Sequence, residues 1–142
     1  MKRKRRYNLI TFEKDTQERS KYKDPTLKID STNICYKWYI FHIKGFDIYA
    51  VDAEWVRNNL SAWFGIGGHG RVHAFIPNNE IWIAENHGTL RYMAKTIIHE
   101  IYEYKRMYKM SFLQAHKLAL KEELKHPKLL SILIDNLQGD SE

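Results

Sequence analysis

The pattern of apolar residues changes period at Thr89, and this one change constrains the fold more than anything else in the chain. Before it, short β-branched and aromatic runs alternate with turn residues. After it, Met93, Ile97, Ile98, Ile101, Tyr104 and Tyr108 recur at helical spacing and predict a long amphipathic helix over about 89–109. Ser111 followed by Gln114 has the spacing of a capping box and opens a second helix carrying Phe112, Ala115, Leu118, Ala119 and Leu124. Pro127 ends or restarts it, and a third short helix is expected over 128–137. Upstream, 36–43 and 46–51 read as two strands broken at Gly45, and Asp52 can cap a short helix bearing Trp55, Val56 and Leu60. The segment 65–70, with four glycines and His69, is expected to be irregular backbone whose glycines allow positive φ. Residues 71–76 and 80–84 flank Pro77-Asn78-Asn79 and read as a hairpin or two neighbouring strands. Strands first and helices last give an α+β class: a small, mostly antiparallel sheet packed against a two- to three-helix C-terminal layer.

At 142 residues the chain has room for one core, expected over 7–138 between a basic tail at 1–6 and a polar end at 139–142. The net charge of +6 belongs mostly to that tail. Five of the 23 basic residues are Lys2, Arg3, Lys4, Arg5 and Arg6, so the body carries 18 against 17 acidic ones. Such a tail can contact phosphate backbones without sequence preference, or simply be solvated. No apolar run is long enough for a membrane span, and the basic start lacks an apolar stretch behind it, so an intracellular location is expected, including the cytoplasm of an infected cell. The lone Cys35, in an aromatic-rich run, is expected to be a buried, unreactive thiol.

The long helix contains His99-Glu100-Ile101-Tyr102-Glu103. A four-residue step stacks His99 and Glu103 on one face, about 6 Å apart at Cβ, so both can reach one ion. Glu100 is turned by about 100° and can stand beside that ion as a general base. Glu103 and His116 are equally distant from the turn near Lys109 and Met110. A helical hairpin with axes about 8–10 Å apart would bring them face to face. His99, Glu103 and His116 then make a set suited to one Zn²⁺ with a further position for water, and Glu123 stands level with His99 as an outer acceptor or a competing ligand. The alternative is plain: Glu100 and Glu103 as solvated helix carboxylates and His116 as a core histidine. His69 is a candidate oxyanion stabiliser or fourth ligand, with His73 a weaker candidate of the same kind, and Tyr92 and Tyr102 could donate to a substrate carbonyl.

Taken in order, Val51-Asp52 with Trp55-Val56-Arg57, Gly67-Gly68-His69, Phe75-Ile76-Pro77 with Glu80 to Ile83, His99-Glu100 with Glu103, and Ala115-His116 with Glu123 resemble a family of uncharacterised proteins from bacteriophages and archaea. The helix motif and the strand ahead of it are similar to those of the zincin metallopeptidases, although zincins place histidine where Glu103 stands. The resemblance implies that Glu80, Ile81, Trp82 and Ile83 line a substrate cleft as a sheet edge against which an extended peptide or protein substrate pairs. The expected function is a zinc-dependent, peptidase-like hydrolase in which Glu100 activates a water and His69 assists. The alternative is a small nucleic-acid-associated protein working through its basic tail, with the metal structural or absent.

Overall fold

The computed structural model describes residues 35–85 and 87–140. The basic run at 2–6 and the loops expected over 7–33 lie outside the described residues. Strands β1 (Lys37–Ile43) and β2 (Phe46–Val51) form an antiparallel hairpin. Its two central residues, Lys44 and Gly45, both have positive φ (54° and 86°), the backbone that matches a two-residue turn to the twist of its strands. Asp52 accepts a hydrogen bond from the Trp55 amide and so starts helix α1 (Ala53–Asn59). Strands β3 (Gly67–His69) and β4 (Glu80–Ala84) complete a sheet of order β1-β2-β4-β3, with β2 and β4 parallel and the other pairs antiparallel. Helices α2 (Leu90–Arg106), α3 (Phe112–Glu122) and α4 (Pro127–Asp140) follow.

The α+β class and the helical layer are as read from the sequence, and four local features differ. Residues 71–76 form turns and no strand, so β4 takes its antiparallel partner from the glycine segment instead. The glycines there are not at positive φ. Among the described residues only Gly45 and Gly88 are, and the glycines of 67–70 serve close approach. Tyr108 lies past the end of α2 and is exposed, so the apolar stripe stops one turn early. Cys35 is exposed as well, because it precedes β1 instead of packing within it.

The period-two alternation of the strands divides the core. Phe46, Ile48, Ile81 and Ile83 face the helices, where they pack on Met93, Ala94, Ile97, Ile98 and Ile101 of α2 and Leu130 and Leu133 of α4. Val51 and Trp82 point the other way and pack on Val56, Phe64 and Ile76. With its apolar face committed to the sheet and α4, α2 turns a second, polar face toward β3 and α3.

One carboxylate links all three helices of the layer near their ends. Glu122 at the end of α3 receives hydrogen bonds from Arg106 at the end of α2 and from His126 just ahead of α4. Arg106 first and His126 second hold the Glu122 carboxyl below its ordinary range. A depressed carboxyl contributes stability that is present above its unfolded pKa and lost as pH falls through its folded value. Glu122→Gln should therefore lower stability by about 1–3 kcal/mol at neutral pH. The difference from the native protein should shrink on acidification, as read by denaturant unfolding at several pH values.

Candidate metal centre

Thr89 caps α2 by accepting from the Tyr92 amide, and this sets the phase that puts His99, Glu100 and Glu103 on the polar face. The capping box at Ser111 and Gln114 starts α3 immediately after the turn, so α3 folds back along α2. His116 is thereby delivered opposite Glu103, as the count about the turn requires. Its Nδ1 lies 2.8 Å from Glu103 Oε2 and 3.0 Å from His99 Nε2, and the His99 Nε2 to Glu103 Oε2 distance is 2.9 Å. The three atoms form a nearly equilateral triangle.

Protons satisfy that triangle poorly. Burial by itself would raise the Glu103 pKa, but hydrogen bonds from His116, His69 and His99 outweigh it and hold the group well below the carboxylate range. An ionised oxygen only accepts, so both ring nitrogens would have to donate to it. Their two N–H groups would then oppose each other at 3.0 Å. A divalent cation held by all three lone pairs removes the conflict. Ligand atoms of a tetrahedral zinc site, with bonds of about 2.0–2.2 Å, stand roughly 3.3–3.5 Å apart, so the triangle needs to open by only a few tenths of an ångström. The donor set, two imidazoles and one carboxylate, is one that could hold a metal ion.

The solvated alternative does not hold for the two carboxylates: Glu103 is 2% exposed and Glu100 8%. Glu100 lines a cavity of about 390 Å³ together with His99, Glu103, His116 and Glu123. Burial first, then the charges of Glu103 and Glu123, push its pKa well above the ordinary value. His116 is shifted up by its hydrogen bond to Glu103, against the opposing effect of burial. Glu123 Oε2 stands 3.9 Å from His99 Nδ1, within ion-pair reach and beyond hydrogen-bond length.

His69 has a different neighbour from the one expected. It is fully buried, is not part of the cavity wall, and places Nε2 2.8 Å from Glu103 Oε1. Its ring therefore meets a carboxylate where a substrate oxyanion was foreseen. His73 and Tyr92 do line the cavity, whereas Tyr102 stacks on His126 away from it. Glu80, Ile81, Trp82 and Ile83 also differ from the expectation: β4 is paired on both sides, so it offers no free edge, and Ile81, Trp82 and Ile83 are buried. The sheet edge beside the cavity is β3, whose Gly67 and Gly68 form part of the wall. The sequence signal for this was the glycine pair itself, which lets a strand lie directly against a helix.

A Cβ on Gly67 would stand 2.7 Å from Thr96 Cγ2 and 3.4 Å from Glu100. Thr96 cannot easily turn aside, since its hydroxyl donates to the Tyr92 carbonyl at 3.1 Å and lies 3.2 Å from His87 Nε2. No family model matches the chain, and neither a curated protein nor a solved structure does.

At an open position Gly→Ala gains about 0.4–1 kcal/mol through the unfolded state. Gly67→Ala should reverse that sign and cost about 1–3 kcal/mol by overpacking, measured by denaturant unfolding. A stabilised variant would contradict the close contact between β3 and α2.

Proposed function

We propose that the chain is a metal-dependent hydrolase, with zinc the ion that its ligands fit best, acting on the carbonyl group of a peptide-like substrate. The observation that carries this reading is the triangle of His99, Glu103 and His116, which favours a cation over any arrangement of protons. Its place in the molecule favours catalysis over a purely structural ion. Structural zinc sites are closed, whereas here the His116 side chain is 40% exposed and the centre opens into the cavity.

The ion supplies Lewis acidity, acidifying a water and polarising a carbonyl. The chain supplies the rest. Glu100 stands beside the centre on the next helical position, as the general base does in the zincin motif that the sequence resembles. Its raised pKa in the buried site means that it readily keeps a proton, and a neighbouring cation brings that pKa back down. A carboxyl balanced in this way can take a proton from the attacking water and return it to a leaving amine. Tyr92 and His73 line the same cavity and are candidates to donate to the carbonyl oxygen of a bound substrate.

Charge narrows the substrate. Among the described residues the wall carries Glu100, Glu103 and Glu123 and no Lys or Arg, so phosphodiesters would meet three carboxyl groups there and no lysine or arginine. Trp63, Ile66 and Leu120, all on the wall and all exposed, offer apolar contact to a neutral chain. Among the described residues, no observation favours the nucleic-acid reading, and no helix is long and apolar enough to cross a membrane.

Metal analysis of the purified protein should find close to one zinc per chain, lost in His99→Ala. Glu100→Gln should keep the zinc and lose about 10²–10⁴-fold in the rate of peptide-bond hydrolysis. Zinc retained in His99→Ala would remove the basis of the proposal.

A further inference from the structure

The buried histidine on β3 bonds to the oxygen of Glu103 that the triangle leaves over. We infer that His69 is a positioning residue, whose Nε2–H holds Glu103 Oε1 so that the carboxylate meets the ion through Oε2 alone. This deepens the metal reading given above and rests on it.

Two hydrogen bonds fix the tautomer. The backbone N–H of Arg71 donates to His69 Nδ1 at 3.2 Å, so Nδ1 presents its lone pair. In a neutral imidazole the proton is then on Nε2, which lies 2.8 Å from Glu103 Oε1. The ring has little freedom to choose otherwise. It is fully buried and meets the Tyr104 ring edge to face at 5.4 Å. The Arg71 guanidinium lies 4.4 Å over that same Tyr104 ring, which ties the amide donor to the same cluster. The glycines on either side tighten the backbone: a Cβ at Gly68 would come within 2.7 Å of His73, and one at Gly70 within 2.6 Å of the Ile76 carbonyl.

The same atoms allow a rival arrangement. His69, Glu100 and Glu103 offer ligand atoms within 4.8 Å of one another, enough for a second ion bridged by Glu103. That ion would need the Nε2 lone pair, moving the ring proton to Nδ1, where it would oppose the Arg71 N–H at 3.2 Å. The observed backbone therefore favours a donor at Nε2. A donor there neutralises part of the charge on Oε1 and discourages the carboxylate from chelating through both oxygens, which keeps the coordination number low.

The test uses the full chain with His69→Gln, which keeps an amide donor, and His69→Leu, which does not. Zn²⁺ binding is measured by chelator competition, the visible spectrum is recorded with Co²⁺ in place of Zn²⁺, and folding is followed by circular dichroism. The native protein should bind one ion. His69→Leu should bind about 10–100-fold more weakly. Its cobalt band should lose intensity as Glu103 becomes bidentate, while His69→Gln should restore both affinity and band. Two ions per native chain, with one lost in both variants, would overturn the inference, as would a folded His69→Leu with unchanged affinity and spectrum. Should His69→Leu fail to fold, His69→Gln decides: one ion with an unchanged band supports the positioning role, and a lost ion overturns it. A native protein that binds no ion would instead remove the metal reading itself.

Discussion

An ionised carboxylate buried among three imidazoles is the constraint around which this small fold is arranged. Glu103 is 2% exposed, and burial of a lone charge is expensive unless it is fully bonded. His99 comes from the same helix, His116 from the next and His69 from the sheet, so the carboxylate joins α2, α3 and β3. Each must sit at the right depth, and each has a local device that sets it. Thr89 fixes the phase of α2, Ser111 and Gln114 fix the start of α3, and Gly67 allows β3 to lie directly on α2. The apolar side of α2 is spent on the sheet and α4, leaving its polar side to the centre.

The charge balance of the centre follows from the same arrangement. Three carboxylates in one wall repel one another, and the strain shows in the opposite displacements of two of them: Glu103 held ionised by its histidines, Glu100 driven toward its neutral form by burial and its neighbours. One divalent cation would relieve both, by neutralising the Glu103 charge and drawing the Glu100 pKa back down. With two neutral imidazoles and one anionic ligand, an ion held here would keep a smaller net charge than at a three-histidine site and would acidify water less.

Local signals in the sequence carried the helical half well and the sheet only in part. Caps at Asp52 and Ser111 are chemical statements about their own neighbourhoods, and the distances of Glu103 and His116 from a shared turn foretold their meeting. Sheet order is a different matter. Whether 80–84 is an edge depends on which distant segment pairs with it. The three-residue β3 is too short and too rich in glycine to announce itself by alternation. Hence Glu80, Ile81, Trp82 and Ile83 read as a cleft edge although they form the sheet interior. His69 was singled out for its glycine setting, but its partner could be known only once β3 was laid against α2. Glu122, which ties Arg106 to His126, carried no pattern at all, since its two partners come from the ends of two other helices.

The central claim is that one cation is held by two imidazole nitrogens and one carboxylate oxygen in the gap between α2 and α3. X-ray absorption at the zinc edge on the metal-loaded protein tests it most directly. The account expects two histidine nitrogens at about 2.0–2.1 Å with light oxygen ligands at about 2.0–2.2 Å, and one fewer histidine shell contribution in His116→Ala. A spectrum without histidine scattering, or one unchanged by loss of His116, would contradict it.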